Sequence, residues 1–336
     1  MLSATSADIA ICIPARNEAE RLPALFAALD RLVVPTGRSV AVCLLLDGCG
    51  DASRAVVASW RSVTRHHVVV AFADPAPPNA GRARDRAMRI GIDSGAAILC
   101  TTDADSLPAA DWLIAMLSAL DHGDIVTGDV VRPGRDGHRA QDRIERHYAT
   151  LHHLRRRIDP VAWDAADGHP HASGANMALS ANLYHTLGGF LPLARGEDAR
   201  LIDDAARAGY RVRRDAASIV HTSDRRVGRA RGGLATMLCD LDRDGLAGVT
   251  VAHPADQLWQ YRMQALARAC FANDPAPLAE AIGLSVDHLR GVARDCPNAE
   301  AFAMRVVPVP PGGMRHIPFV AAEAALAALL TQAAAA

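Results

Sequence analysis

The sequence contains no lysine, so all 36 basic residues among its 336 are arginine. Enzymes that form a Schiff base need a lysine amine, and so does the phosphate-binding loop of the G-x-x-x-x-G-K type. Lysine-dependent aldolases, pyridoxal enzymes and P-loop NTPases are therefore excluded. The formal net charge is −1, and without a strongly basic balance nucleic acid is not an expected partner.

Cysteine pairs suited to disulfides or zinc are also missing. The seven cysteines are scattered and form no C-x-x-C pair, which favours neither a disulfide framework nor a structural zinc site and fits a reducing cytosol. No basic flank precedes an apolar stretch at the N-terminus, and Glu323 and Gln332 interrupt the alanine-rich tail. Neither a signal peptide nor a transmembrane segment is expected. We expect a cytoplasmic protein, and peripheral association with the inner membrane face stays open.

Short β-rich runs alternate with helical patterns over the first two thirds of the chain, which is typical of an α/β layer fold. The predicted strands are Asp8–Ile13, Val40–Leu46, His66–Phe72, Ala96–Thr102 and Asp124–Val131, with helices near Glu18–Leu32, Asp51–Thr64, Gly81–Ile92 and Ala109–Leu120. Their apolar runs predict a Rossmann-like, mostly parallel sheet flanked by helices, with Val69 and Val70 in its core. No G-x-G-x-x-G follows the first strand, which argues against a Rossmann dehydrogenase.

The pattern becomes mainly helical towards the C-terminus. Further helices are predicted at Gln141–Ile158, Asp198–Ala208, Leu234–Asp244, Gln257–Phe271, Val286–Val292 and in the tail, and further strands at Ser173–Leu179 and Tyr210–Arg214. A boundary near Arg225 gives an α/β domain over residues 1–225 and a helical C-terminal extension over residues 226–336. The extension has three candidate roles: covering a substrate site, forming a homodimer interface, or docking on a membrane.

The strongest local signal is Asp103-Ala104-Asp105, directly after the fourth predicted strand. Residues two apart on an extended backbone point the same way, so the two carboxylates can act together. Ligands of open α/β sheets bind at the carboxyl ends of strands. Paired hard oxygen ligands suit Mg²⁺ or Mn²⁺, which can neutralise a diphosphate. The alternative is an ordinary turn, because Asp and Ser are common turn residues and Pro108 follows.

The first two strands also end in polar residues. The first leads into Pro14-Ala15-Arg16-Asn17-Glu18, where ordinary helix initiation would use Asn17 as the N-cap and place Glu18 and Glu20 in the first turn. The second ends in Leu46-Asp47-Gly48, which makes Asp47 a candidate ligand-binding carboxylate.

Taken in order, these segments resemble the inverting nucleotide-sugar glycosyltransferases of family two, which have the GT-A fold. The resemblance runs from Ile9 to Ser223 and rests on seven motifs, each weak alone. They are Pro14-Ala15-Arg16-Asn17-Glu18, Asp47-Gly48, Gly81-Arg82-Ala83-Arg84, Asp103-Ala104-Asp105, Gly174-Ala175-Asn176-Met177-Ala178, Gly188-Gly189-Phe190 and Gly196-Glu197-Asp198. The resemblance implies a metal-dependent enzyme that moves a sugar from a UDP- or GDP-sugar to an acceptor hydroxyl.

The resemblance also implies roles for particular residues on the donor side. The nucleoside-binding segment would include Pro14, Ala15, Arg16 and Glu18, with Asp47 reading the base and Arg84 near the diphosphate. Asp103 and Asp105 would hold Mn²⁺ or Mg²⁺, with Asp105 the likelier direct ligand and Ala104 beside the donor.

On the acceptor side, the resemblance implies that Asp198 is the general base that deprotonates the attacking hydroxyl. Inversion by a single displacement needs one carboxylate opposite the leaving group, and a positioned base contributes about 10²–10⁴-fold. The alternative for Glu197-Asp198 is helix capping.

The chain departs from the family pattern at Leu46, where many members have the first of two adjacent aspartates, and this leaves the nucleotide preference open. The resemblance makes His221 a candidate third metal ligand, since a histidine in this late position completes the metal shell in some related GT-A enzymes; the alternative is a hydrogen-bonded histidine at a strand end. The segment 224–233 is rich in arginine and glycine. It is either a loop that closes over the diphosphate, with Arg225 and Arg229 as phosphate contacts, or a solvated basic stretch.

Two groups of polar residues suit a polar or anionic acceptor. They are His147, Tyr148, His152, His153 and Arg155 to Arg157 on a predicted helix, and His169 with His171 before Gly174; a second metal or a solvated helix face would also suit them. Two rival functions stay open. A sugar-nucleotide pyrophosphorylase usually opens with a glycine-rich loop carrying lysine, which this chain lacks, and a non-catalytic binding protein is the other rival.

Overall fold

The computed structural model describes residues 7–133, 139–228 and 233–335. The chain divides into two compact units, the first drawn from residues 1–134, 163–204 and 212–237 and the second from 135–162, 205–211 and 238–336. The units interleave along the sequence, whereas the sequence predicts one boundary near Arg225. The difference arises because the helix at Ala140–Ile158 packs on a helix at Pro254–Cys270.

The first unit is built on one sheet. Its strands are β1 (Ile9–Ala15), β2 (Val40–Asp47), β3 (His67–Ala73), β4 (Ile98–Thr101), β5 (Ser106–Pro108), β6 (Ile125–Val131), β7 (Met177–Ser180) and β8 (Val212–Thr222). Their order across the sheet is β3-β2-β1-β4-β7-β6-β8-β5. The first four of these strands are parallel, β7 is antiparallel to both neighbours, and β8 is parallel to β6 and antiparallel to β5. The predicted mostly parallel sheet flanked by helices is confirmed.

Helices surround this sheet. The helices that lie wholly in the first unit are α1 (Leu22–Asp30), α2 (Ser53–Arg61), α3 (Ala80–Asp93), α4 (Trp112–Leu120) and α6 (Ala181–Thr186). Helix α5 (Ala140–Ile158) belongs to the second unit. Two helices, α7 (Glu197–Arg207) and α8 (Leu234–Asp244), begin in the first unit and end in the second. Every residue of β2 is buried because helices cover both faces of the central strands. Val69 and Val70 are only half-buried, contrary to prediction, because β3 lies at the edge of the sheet.

Two local predictions are wrong. Helix α1 begins at Leu22, and Asn17 is not its N-cap: Asn17 has a φ of 53° and its side-chain oxygen accepts from the Gly50 N–H at 2.8 Å. Strand β8 runs to Thr222, well beyond the predicted end at Arg214. A register irregularity next to Gly128 lets it continue alongside β6, and the apolar–polar alternation is obscured there.

The second unit is mainly helical, as the sequence predicts for the C-terminal region. Besides α5 it contains α9 (Pro254–Cys270), α10 (Ala276–Ile282), α11 (Val286–Arg294), α12 (Ala299–Val306) and α13 (Phe319–Ala335), with an antiparallel pair of short strands, β9 (Thr250–Ala252) and β10 (His316–Pro318). One of its hydrophobic cores contains the buried residues Leu278, Leu289 and Phe302. Within the described ranges, no helix combines the length and the apolar character that a membrane span requires.

Candidate active site

A cavity of about 340 Å³ lies at the carboxyl ends of β1, β2 and β4. These strands run parallel, so the residues that follow them meet at one edge of the sheet. Helix α3 contributes Arg84 to the cavity wall, and the first turn of α7 contributes Glu197 and Asp198. Residues after β8 complete the wall.

The cavity brings together most of the residues that the sequence singles out. Those that line it are Pro14, Ala15, Arg16, Glu18, Asp47, Arg84, Asp103, Ala104, Asp105, Asp198 and Arg225. His221 does not line it: this residue pairs with Leu107 across the β5–β8 ladder and is exposed, whereas its neighbour Thr222 lines the cavity. Side chains alternate along a strand, which explains the difference. Arg229 lies outside the described residues.

Arg16 and Asp47 form an ion pair where β1 and β2 end. The Arg16 guanidinium donates to Asp47 Oδ2 at 3.1 Å and to the Ala76 carbonyl at 2.7 Å. The backbone N–H of Glu18 donates to Ser53 Oγ at 3.0 Å. These bonds fix the loop after β1 against the loop after β2, so both loops present a fixed surface to the cavity.

Arg225 bridges two carboxylates that come from different strand ends. Its Nη1 donates to both oxygens of Glu18 at 2.6 and 2.7 Å, and its Nε lies 3.2 Å from Asp105 Oδ2. Ser223 Oγ donates to the same oxygen of Asp105 at 2.6 Å. Burial by itself lowers the pKa of Arg225, but the Asp105 and Glu18 carboxylates outweigh it and raise that pKa. Sequence reasoning singled out Arg225, Glu18 and Asp105 but missed their pairing, and it missed Ser223, because the proximity of these residues depends on the path of β8.

Arg84, on α3, also lines the cavity and is buried. It pairs with Asp103 at 2.8 Å and with Glu197 at 3.2 Å. Burial acts to lower the pKa of Arg84, and the carboxylates of Asp103, Glu197 and Asp198 more than offset this and raise it. Burial also raises the pKa of Glu197, which the Arg84 charge only partly opposes. Glu197 is a site residue that the sequence suggested only as the neighbour of Asp198.

Charge pairing distinguishes Asp198 from the other acidic residues of the cavity. Among the described residues, the other carboxylates that line it each pair with an arginine; they are Glu18, Asp47, Asp103, Asp105 and Glu197. No arginine of the described residues lies within ion-pair distance of Asp198, which accepts backbone hydrogen bonds from Gly174 at 3.0 Å and Ala199 at 2.8 Å. Asp198 is therefore held in place by the backbone and lines the cavity.

The donor set fits a hard divalent cation that completes its coordination with substrate. Asp103 and Asp105 both line the cavity. No cluster of three or more His, Cys, Asp or Glu side chains in the described ranges is placed to hold a metal. Mg²⁺ and similar ions are commonly held by one or two carboxylates together with substrate phosphates. These residues therefore fit a metal that arrives with a diphosphate.

None of the residues of the two predicted acceptor groups is among the described residues that line the cavity. His169 is buried, with Nε2 3.0 Å from the Thr127 carbonyl, and its ring lies 5.8 Å from that of His171. On α5 of the second unit, His147 is buried against the Phe319 ring at 5.4 Å. In the part of the cavity wall that the structure describes, the free cation is Arg195, three residues before Asp198.

Comparisons with known proteins identify the family. The family described as Glycosyl transferase family 2 matches residues 10–183. Among solved structures, S. aureus TarS 1-349 in complex with UDP-GlcNAc is similar with a TM-score of 0.50 at 14% identity, over 90% of each chain. The mannosyltransferase PcManGT from Pyrobaculum calidifontis, in complex with GDP-Man and Mn²⁺, is similar with a TM-score of 0.50 at 19% identity, over 99% of this chain and 81% of that one.

The search of curated proteins finds no match. The two structural likenesses, at identities below 20%, establish the fold that the sequence predicts. The family match spans more than half of the chain and contains the segments that end β1, β2 and β4. The chain belongs to glycosyl transferase family 2 and is a glycosyltransferase of the nucleotide-sugar type.

Proposed function

We propose that this glycosyltransferase is metal-dependent and inverting, and that it moves a sugar from a nucleoside-diphosphate sugar to an acceptor hydroxyl. The observation that carries the proposal is the charge pattern of the cavity. Asp103 and Asp105 both line the cavity, and Asp198 lines it with no arginine partner among the described residues. A single displacement needs both a site for the leaving diphosphate and a free base for the attacking hydroxyl.

The donor is a UDP- or GDP-sugar. Its nucleoside lies against Pro14, Ala15, Arg16 and Glu18, its base reaches Asp47, and Ala104 lies beside the sugar diphosphate. The structural neighbours in complex with UDP-GlcNAc or with GDP-Man and Mn²⁺ support this donor class. Asp103 and Asp105 would hold Mn²⁺ or Mg²⁺, which supplies positive charge to the leaving diphosphate. The exposed position of His221 gives no support to a third protein ligand.

Asp198 removes the proton from the acceptor hydroxyl as the oxygen attacks the anomeric carbon. The bond to the diphosphate breaks on the opposite side of that carbon, so the configuration inverts. The Gly174 and Ala199 N–H groups hold the two oxygens of Asp198 in place and satisfy one lone pair on each. Arg225, once released from Glu18 and Asp105, supplies a fork of donors to the diphosphate.

The acceptor is polar, and Arg195 favours an anionic one. Its guanidinium lines the cavity close in sequence to Asp198 and has no carboxylate partner in the described structure. A phosphate or carboxylate on the acceptor would neutralise it and orient the hydroxyl. Replacing Arg195 by alanine should raise the KM for an anionic acceptor and leave the donor KM unchanged. The matched control is Arg200→Ala, whose arginine is exposed and paired with Asp204.

The test of donor and metal is calorimetry and thermal unfolding with UDP-, GDP- and dTDP-sugars, each with and without Mn²⁺. A ligand that binds only the folded state at a hundredfold excess over its Kd stabilises by about 2.7 kcal/mol. We expect a Mn²⁺-dependent shift for one nucleotide that is lost in Asp105→Ala. The matched control is Asp111→Ala, an exposed aspartate outside the cavity lining. No shift with any nucleotide sugar would contradict the proposal.

Product analysis separates the two rivals. A transferase releases nucleoside diphosphate, whereas a pyrophosphorylase supplied with pyrophosphate releases a sugar phosphate. A binding protein gives neither product. We expect Asp198→Asn to keep donor binding and to lower nucleoside diphosphate release by about 10²-fold or more, as expected for the loss of a general base.

A further inference from the structure

Arg84 is only 7% exposed, and its guanidinium is shared among four acceptors. Its Nη1 donates to Asp103 Oδ1 at 2.8 Å, to the Gly174 carbonyl at 2.7 Å and to Thr101 Oγ1 at 3.3 Å, and its Nε donates to Glu197 Oε1 at 3.2 Å. The acceptors belong to three separate segments: the end of β4, the turn before β7 and the start of α7. One side chain on α3 thus ties these segments together.

The backbone of Gly174 connects Arg84 to Asp198. The Gly174 carbonyl accepts from Arg84, while the N–H of the same residue donates to Asp198 Oδ2 at 3.0 Å. Glycine is required there because a Cβ would lie 2.4 Å from both Nε and Cζ of Arg84. Asn176 fixes the same turn, since its amide donates to the Asp129 and Ser218 carbonyls at 2.7 and 2.9 Å. The position of Asp198 therefore depends on a turn that Arg84 holds.

Glu197 gives Arg84 a second connection to the same helix end. It precedes Asp198 in the first turn of α7, it is buried, and it pairs with Arg84. Buried charges that lose their partner destabilise their surroundings strongly. The first turn of α7 is therefore fixed from two sides, through the Glu197 side chain and through the Gly174 backbone.

We propose that Arg84 is a positioning residue that sets Asp103 and Asp198 relative to each other, rather than a contact of the donor diphosphate. The inference rests on the proposed function, because it takes Asp198 as the base and Asp103 as part of the donor site. Catalytic groups must be held within a fraction of an ångström, and a misplacement of 1 Å can cost about 10²-fold in rate. Arg84 acts on the rate through Asp198.

The test compares Arg84→Lys with the wild-type enzyme. Lysine keeps the positive charge but cannot hold the four acceptors in one plane. We measure the release of nucleoside diphosphate from the donor in water with Mn²⁺, which needs no identified acceptor. We expect kcat to fall by about 10²-fold while the donor KM changes little. Arg86→Ala, an exposed arginine on the same helix, is the control and keeps the wild-type kcat.

A double mutant decides whether Arg84 acts through Asp198. If it does, Arg84→Lys combined with Asp198→Asn is no slower than Asp198→Asn alone, because the group that Arg84 positions has already been lost. A diphosphate contact would instead give multiplying effects and a raised donor KM, and either result would overturn the inference.

Chemical rescue gives a readout that a general loss of folding would not produce. In Arg84→Ala, millimolar guanidinium should restore a part of kcat, whereas ammonium at the same concentration should not. Equal effects of the two ions would count against the inference, and so would wild-type kinetics of Arg84→Lys. Failure of the wild-type enzyme to bind any nucleotide sugar overturns the proposed function as well, so the two failures are distinguishable.

Discussion

His169 should make the stability of the first unit depend on pH. Its Nε2 lies 3.0 Å from the Thr127 carbonyl and its Nδ1 accepts from the His171 N–H at 3.2 Å. This pattern requires the neutral ring with its proton on Nε2, because a second proton on Nδ1 would face an N–H donor. Burial, together with His171 and Arg214, lowers the pKa of His169 to about 4, against the opposing effects of the Thr127 carbonyl and Asp129.

Because the pKa of His169 is lower in the folded protein than in the unfolded chain, folding stability falls as the pH falls. Above pH 6.5 the histidine is neutral in both the folded and the unfolded chain, so the contribution of His169 to stability is fully present. As the pH falls from 6.5 towards 4, the unfolded chain takes up a proton that the folded chain does not, and stability is lost. Linkage then predicts a loss of about 2 kcal/mol by pH 5 and about 3 kcal/mol by pH 4.

The assay is urea unfolding of wild-type protein and His169→Gln at several pH values between 7.5 and 4.5. Glutamine does not titrate, so the difference in unfolding free energy between the two proteins should shrink by the predicted amounts. His67→Gln, at an exposed position of the edge strand β3, is the control, with a difference that varies by less than about 0.5 kcal/mol. A difference for His169→Gln that does not change with pH would refute the reasoning.

Three further predictions concern charge pairs. Arg225→Gln should weaken donor binding and strengthen Mn²⁺ binding, because Asp105 loses a competing cation; calorimetry measures both, and weaker Mn²⁺ binding would contradict the prediction. Arg268→Gln leaves two buried carboxylates of the second unit without their shared arginine partner. The free energy of unfolding should fall by about 3 kcal/mol. An unchanged denaturant midpoint would contradict this prediction. The hydrogen bonds from Arg315 lower the pKa of Asp256, so this pair stabilises above the unfolded pKa and the effect is lost as the pH falls. Asp256→Asn should therefore lower Tm more at pH 7 than near pH 3; equal shifts at both values would exclude this linkage.

The residues that follow β1, β2 and β4 line one cavity, as the sequence predicts, because the parallel order of these strands brings their carboxyl ends together. Once β1, β2 and β4 are adjacent and parallel, Asp47 and Asp103 must meet at one sheet edge wherever their side chains point. Local patterns suffice for this, since each strand is a short apolar run ended by polar residues. The start of α7 at Glu197 was equally visible from its acidic first turn.

Contacts between distant segments were not predictable in the same way. Arg225 reaches Glu18 only because β8 returns alongside β5 and β6, and β8 is half-buried and carries charged residues that obscure its alternation. The family resemblance suggested His221 as a metal ligand, but β8 places Thr222 in the cavity lining and leaves the exposed His221 outside it. Similarly, Arg84 could be assigned to the site from its motif, but its four acceptors depend on the turn at Gly174.

The absence of lysine has a structural counterpart in this cavity. Arg84 holds Asp103 and Glu197, and Arg225 holds Glu18 and Asp105, so each guanidinium serves two carboxylates from different segments. A planar fork with five donors can do this, whereas an ammonium acts as a point charge. Two arginines thereby pair with four carboxylates, and no arginine of the described residues pairs with Asp198. If the cavity admits a cation, a diphosphate and a hydroxyl as we propose, such shared partners let a bond be exchanged for a ligand without leaving a buried charge uncompensated.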